Sequence, residues 1–340
     1  MRALNGPIRA SVLALSFLFV AASAAWASHG VERLYEPEDA GSGAKLLAID
    51  PRGELLYVRP SSDATAIEAI DADHGKIRGS YETLAPATCA CVDERTTWLL
   101  AGDAEGRVFR WDLKSGERVS VVTLPGVAGK PRPVRAILAE RRGGVYVVGG
   151  DLVLMLSKNV FGARFSPETD ARAVFYKPGQ VVEVFNERED LAITNSGDGS
   201  YHGYQISKDK ELWVLDLGYT KTVFISVERD DVFFEGRDML RLFDARKGKT
   251  TDEDDEVKPL LGVAEREGGR VFVGTQTEHV VAYAIEAGGK LKRSQVWGAL
   301  DAAITGMCLD PREAHLYVSD TTGTLYKIRV AADGETGQTD

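Results

Sequence analysis

Three cysteines, five histidines, one acidic run and a scattered basic series are the residues of this chain whose chemistry suits catalysis, metal binding or anion recognition. Their spacing sorts them. Cys89 and Cys91 stand at i and i+2, where an extended backbone puts both thiols on one face but holds the two Cα atoms about 6.5 Å apart, a span that does not favour a bridge. Cys308 is remote in sequence, and all three are expected as small buried residues. His29, His74, His202, His279 and His315 show no H-x-H or H-x-x-x-H spacing, so no zinc site is indicated. His202 follows Gly197-Asp198-Gly199-Ser200-Tyr201 and is expected in a solvent-facing turn that opens an enlarged loop. The run Asp252 to Glu256, DEDDE, offers carboxylate oxygens to a hard cation but lacks the alternation of acid and glycine that a calcium loop needs. It reads as a solvated turn, and neither a metal nor a cofactor is expected.

Two further groups bear on function. Lys130, Arg132, Arg135, Lys177, Tyr219 and Lys221 form a basic and aromatic series in loops of an otherwise acidic chain. Brought together, they would make a surface for an anionic ligand or an acidic partner segment, with Arg and Tyr as anchors. Asp50, Asp93, Asn186, Glu228, Glu265 and Asp310 fall at the ends of expected strands, where a metal-dependent hydrolase would need convergent acids. A turn-capping role is sufficient for them, because such residues precede hairpins of the DPRG type.

The elements that must position these groups repeat along the chain. Gly106 to Glu117, GRVFRWDLKSGE, is a strand followed by an Asp-x-x-x-Gly turn, and the same spacing returns at Asp71 to Gly75 and at Asp244 to Gly248. In such a turn the carboxylate accepts from turn amides and the glycine takes positive φ. An apolar strand precedes each turn: LYVRP at Leu56, LLAGD at Leu99, VYVVG at Val145, LAITN at Leu191, VFFEG at Val232, VFVGT at Val271 and LYVSD at Leu316. The intervals are 43, 46, 46, 41, 39 and 45 residues, the period of four-stranded propeller blades. The expected fold is all-β, a seven-bladed propeller over residues 28–340. Val31 to Glu36 precedes the first full repeat and the last repeat ends after its third strand, so the N-terminal strand is expected to complete the last blade and remove an open sheet edge. Blades three and four carry the largest departures, at Asn159 to Ala171 and Gly197 to Lys210.

On the Trp111-Asp112 pair, the LYV strands and the DPRG hairpin at Asp50, the chain resembles the WD40 and YVTN group of β-propeller repeats from Val31 to Val330. It lacks the Gly-His dipeptide and has one Trp-Asp pair, which fits the looser YVTN or quinoprotein-like branch. That resemblance implies a propeller and no common chemistry.

Residues 1–27 combine Arg2 and Arg9, an apolar run from Ser11 to Ala22 and Ala25-Trp26-Ala27 ahead of Ser28, the pattern of a cleaved secretory signal peptide; the alternative is an uncleaved membrane anchor, since Ala10 to Ala27 is nearly long enough to span a bilayer. The remaining chain would carry a formal charge of −12 instead of −10, since the segment holds two arginines and no acid. That balance argues against nucleic acid as a partner. The absence of any Asn-x-Ser/Thr acceptor favours a bacterial periplasm or exterior. Inner strands such as Leu46-Leu47-Ala48-Ile49 are core chemistry, so the expected function is a non-enzymatic, monomeric binding or scaffold propeller that takes a protein, peptide or anionic ligand on one rim. The alternative is a lactonase-like, metal-dependent hydrolase on the same fold.

Overall fold

The protein is described by a computed structural model over residues 30–37, 43–139, 145–157, 160, 170–186, 190–216, 224–226, 231–236, 239–264, 269–286, 290–298 and 300–330. The expected signal peptide lies outside the described residues. Among those described, seven antiparallel sheets of four strands follow one another along the chain.

The first sheet holds β2 (Lys45–Ile49), β3 (Leu55–Arg59), β4 (Ala66–Asp71) and β5 (Ile77–Glu82), preceded in sequence by β1 (Val31–Tyr35). The second holds β6 (Ala87–Val92), β7 (Trp98–Asp103), β8 (Arg107–Asp112) and β9 (Arg118–Thr123), and the third β10 (Ala136–Ala139), β11 (Val145–Gly149), β12 (Leu152–Leu156) and β13 (Ala171–Tyr176). The fourth holds β14 (Val181–Asn186), β15 (Leu191–Asn195), β16 (Ser200–Gln205) and β17 (Lys210–Asp216), and the fifth β18 (Phe224–Ser226), β19 (Asp231–Gly236), β20 (Met239–Asp244) and β21 (Lys249–Asp254). The sixth holds β22 (Pro259–Ala264), β23 (Arg270–Thr275), β24 (Val280–Glu286) and β25 (Lys290–Trp297). In the last sheet β26 (Ile304–Leu309), β27 (His315–Asp320) and β28 (Leu325–Arg329) are completed by β1, whose Val31 pairs with Ile328 and whose Arg33 pairs with Tyr326.

The second strand of each sheet is the apolar repeat. Where side-chain burial is described, its central residues are buried on both faces, as in Val145–Gly149, because a sheet there packs against a neighbour on either side. Among the described residues the core is accordingly divided into seven clusters, one per seam. Leu100 and Val108 meet Val145 and Val147 between the second and third sheets, and Leu46 and Leu56 meet Tyr317 and Leu325 between the first and last. Succession through the seams therefore returns to its start. The first strands sit innermost, with β2 between β26 and β6, and β10 beside β6. This is the arrangement of a β-propeller.

Aspartates cap the turns as their spacing predicts. Oδ1 of Asp71 accepts from the amides of Asp73 and His74 at 3.0 and 2.8 Å, Oδ1 of Asp112 from Lys114 and Ser115 at 2.8 and 2.9 Å, and Oδ1 of Asp244 from Arg246 and Lys247 at 3.1 and 2.9 Å. Gly75, Gly116 and Gly248 close these turns with φ of +66°, +73° and +67°. Because successive strands alternate in direction, loops from second to third strands and from each sheet to the next share one rim. Loops from first to second and from third to fourth strands share the other.

Two sequence expectations are corrected here. Residues 197–210 are not an enlarged loop: β16 runs through the stretch from Ser200 to Gln205, and a single 3-10 turn, Ile206–Lys208, leads into β17 at Lys210. The acidic run is not a turn either, since Asp252, Glu253 and Asp254 lie in β21, an outermost strand with water on one side and the next sheet on the other. Of the insertion at 159–171, most lies outside the described residues, and Val160 is buried.

Candidate functional site

The described members of the predicted basic series, Lys130, Arg132, Arg135 and Lys177, lie in loops that lead from one sheet to the next, and three of them are paired with carboxylates of the chain. Lys130 is exposed at the tip of a tight turn in the loop from β9 to β10, where Val127 and Lys130 exchange backbone hydrogen bonds at 3.0 Å in each direction. Beside it Val127 is 52% exposed. Arg132 corrects the expectation of a surface anchor: it is 7% exposed and its Nη2 lies 2.7 Å from Oδ1 of Asp151, tying this loop to the turn between β11 and β12. Arg135 reaches Glu183 at 3.2 Å and joins the innermost strands of the third and fourth sheets. Burial pushes the Glu183 carboxyl above the ordinary carboxylate range, against the opposing pull of Arg135. Lys177 sits 2.6 Å from Asp209 and 4.4 Å from the centre of the Tyr204 ring. Tyr219 and Lys221 lie outside the described residues. The four described members thus share one side of the ring; Lys130 and Arg135 are exposed, and of these Arg135 is ion-paired with Glu183.

The strand-end acids act as caps. Asp50 accepts from the amides of Glu54 and Leu55 at 2.6 and 3.0 Å, Asp93 from Thr97 and Trp98 at 2.6 and 2.8 Å, and Asp310 from Arg312 at 2.6 Å. Each carboxylate faces its own hairpin. Glu228 and Glu265 lie outside the described residues. Among the described residues no group of three His, Cys, Asp or Glu side chains is placed to hold a metal ion.

The cysteines are free thiols. Cys89 and Cys91 pack against the seam between the second and third sheets and Cys308 against that between the first and last. Burial raises all three thiols, Cys89 to about 11 and Cys308 to about 12, so they stay protonated at neutral pH and are poor nucleophiles.

His202 is in β16, not in a turn. Its Nδ1 lies 2.9 Å from Oε2 of Glu211 and its Nε2 lies 3.3 Å from Oγ of Ser196. Serine, histidine and carboxylate in that order is the chain of a nucleophilic site. Here, however, the Ser196 hydroxyl donates to Asp198 at 2.7 Å, a shorter bond than the contact with His202. The chain braces the turn between β15 and β16 against the outer strand. In the same sheet Gln180 accepts from Thr194 at 2.6 Å and from the Tyr204 hydroxyl at 3.2 Å, binding the entering loop to the second and third strands.

The acidic run has a structural role of the same kind. Arg293 of β25 grips Asp254 with Nη2 at 2.7 Å from each carboxylate oxygen, and the Tyr283 hydroxyl donates to Asp254 at 2.9 Å, across the seam between the fifth and sixth sheets. Burial opposes ionisation of Asp254, but these bonds outweigh it and hold the carboxyl below its usual range.

Sequence reasoning missed one pair. Lys45 and Arg59 are direct partners across β2 and β3 at the same rim. Lys45 donates to the carbonyl of Thr88 at 3.3 Å and Arg59 to that of Ala87 at 2.8 Å, so both cations converge on the first residues of β6. Each ends or begins a strand inside an apolar run. Their opposition becomes visible only once the register is known.

Comparison with known proteins places the fold. No protein-family description matches the chain, and no curated protein matches it in sequence. Solved structures do match: a chain of the mitotic checkpoint complex, with TM-score 0.70 and 10% identity over 98% of this chain and 97% of that one. The WD40 repeats of RRP9 align with TM-score 0.67 and 10% identity over 90% of this chain and 98% of that one. The Cps50 (Swd1) β-propeller domain of Myceliophteria thermophila aligns with TM-score 0.64 and 11% identity over 88% of this chain and all of that one. At this level of identity the likeness is one of fold: the chain has the WD40-type β-propeller arrangement. Among the described residues no helix is long and apolar enough to cross a membrane.

Proposed function

We propose that this chain is an exported, non-enzymatic binding propeller of seven blades, one for each four-stranded sheet, that presents a protein or peptide partner with the rim carrying the sheet-to-sheet loops. The observation that carries the reading is the fate of the polar side chains at the strand ends. Asp50, Asp93 and Asp310 are consumed in turns, and Ser196, His202 and Glu211 in a brace. What this rim offers to solvent is loop surface, with Leu84 and Val127 each about half exposed and Lys130 beside the latter. Exposed apolar side chains next to a cation on a rigid rim suit recognition of another chain. The mitotic checkpoint complex, by its name, is an assembly of this kind for one structural neighbour.

Export rests on the sequence of residues 1–27 and is checked by N-terminal sequencing of the protein recovered from cells. The reading expects Ser28 as the first residue and recovery outside the cytoplasm; an intact Met1 on cytoplasmic protein contradicts it. The non-enzymatic part is checked by elemental analysis and turnover of lactone and ester substrates, with and without chelator. A protein free of bound divalent metal and of turnover agrees with the proposal, whereas a stoichiometric metal whose removal abolishes turnover supports the hydrolase reading.

A further inference from the structure

Burying a cation away from water is unfavourable unless a counter-charge accompanies it. Four cations at the seams of this molecule follow that rule. Arg107 lies 2.7 Å from Asp103, Arg132 2.7 Å from Asp151, Lys177 2.6 Å from Asp209 and Lys327 2.8 Å from Asp73, and the four side chains are between 7% and 22% exposed. Lys45 and Arg59 depart from it. Both are half-buried, and among the described residues neither forms an ion pair with a carboxylate. They stand directly opposite one another on adjacent strands, where like charges repel. Each spends one donor on a neutral carbonyl, at Thr88 and Ala87, while the Arg59 Nε is buried without a hydrogen-bond partner. Asp63 favours the charged form of Arg59, but it is fully exposed and engaged by the Ser61 hydroxyl at 2.7 Å.

We infer that Lys45 and Arg59 form a binding site for a small dianionic oxyanion of the phosphate class, at the inner edge of the rim where the first and second sheets meet. Two cations side by side are balanced by two negative charges. Lys45 keeps two ammonium hydrogens after its bond to Thr88, and Arg59 spends Nη1 on Ala87 and keeps the hydrogens of Nη2, which suits a tetrahedral oxyanion. The unliganded site is under electrostatic strain in a manner consistent with this: burial first and Arg59 second make Lys45 easier to deprotonate than an ordinary lysine, and burial does the same to Arg59. A bound dianion would reverse both effects. The site uses none of the exposed loop residues assigned to the partner surface, so it stands or falls independently of that surface.

The test is thermal melting and calorimetric titration of the full chain with inorganic phosphate at pH 7.5, at ionic strength held constant with chloride, with acetate as a monoanionic comparison. Phosphate raises the melting temperature of the wild type and acetate raises it less. Lys45→Met and Arg59→Gln each weaken phosphate binding by roughly tenfold or more, the scale of a lost charge-assisted bond. Lys45→Met also melts higher than the wild type when no phosphate is present, because it removes a desolvated, repelled charge. A phosphate response that is absent, or that persists undiminished in both variants, overturns the inference. Should Lys45→Met fail to fold, Arg59→Gln decides the matter alone, since it removes the charge while keeping amide donors on a stem one methylene shorter.

Discussion

Replacing Gly75 and Gly116 by alanine separates the strain of a turn from the packing of the strand that completes the last sheet. Both glycines close Asp-x-x-x-Gly turns with similar φ, +66° and +73°. An L side chain in that region costs roughly 1–2 kcal/mol. The surroundings differ. A Cβ on Gly116 meets nothing within 4 Å, whereas a Cβ on Gly75 would lie 1.8 Å from the carbonyl oxygen of Leu34, the penultimate residue of β1. That contact is with backbone and no rotamer relieves it, so β1 must shift or detach. Overpacking of this kind typically adds about 1–3 kcal/mol, and a displaced β1 also withdraws Leu34 and Tyr35 from the seam between the first and last sheets. Gly116→Ala is therefore expected to cost roughly 1–2 kcal/mol and Gly75→Ala roughly 3–5 kcal/mol. At about 2–4 °C per kcal/mol for a chain of this size class, the melting points should fall by a few degrees and by roughly 10 °C or more. Hydrogen exchange followed by mass spectrometry should show faster exchange at residues 31–35 in Gly75→Ala alone. Melting points that agree to within about 1 °C, with unchanged exchange in β1, would refute the packing of the closing strand on this turn.

Two other perturbations follow from the ion pairs. Asp254 has a carboxyl held below its unfolded value, so its contribution is present above about pH 4 and is lost as pH falls through the folded pKa. Asp254→Asn should lower stability at pH 7, flatten the acid limb of the stability profile and leave Tyr283 without a charged acceptor; an acid limb identical to the wild type would contradict this. Arg132→Leu leaves Asp151 buried without its cation and should destabilise by about 3 kcal/mol, the scale of a broken buried pair. Lys130→Ala, on the exposed tip of the same loop, should change stability by less than about 0.5 kcal/mol. Equal melting points for these two variants would place Arg132 on the surface after all.

The parts legible from sequence were those governed by local chemistry. Asp71, Asp112 and Asp244 announce their turns because the carboxylate and its amide donors lie within three residues. The second strands are legible because both faces are buried, giving runs such as VYVVG. The outer strands are not: β21 reads KTTDED because its side chains meet water or Arg293 of the next sheet, so no apolar alternation marks it. Likewise Gly197, Asp198 and Gly199 suggest a long loop, yet the buried Tyr201 and Tyr204 set a strand beginning at Ser200. The basic series failed as a charge map for a third reason. Arg132 and Asp151 are far apart in sequence and meet across two loops, and Lys45 and Arg59 meet through strand register, so neither neutralisation nor juxtaposition is visible in composition.

Recognition of a partner through one rim can be read out by site-specific photo-crosslinking in the organism's own cells. A crosslinker at position 130 of the full chain reports the rim of the sheet-to-sheet loops, and one at position 114, an exposed residue in the turn after β8, reports the opposite rim. The expected result is one dominant adduct from position 130, lost when Val127 is replaced by Asp, with no matching adduct from position 114. Equal adducts from both positions, or a dominant adduct from position 130 that is indifferent to Val127→Asp, would contradict the claim.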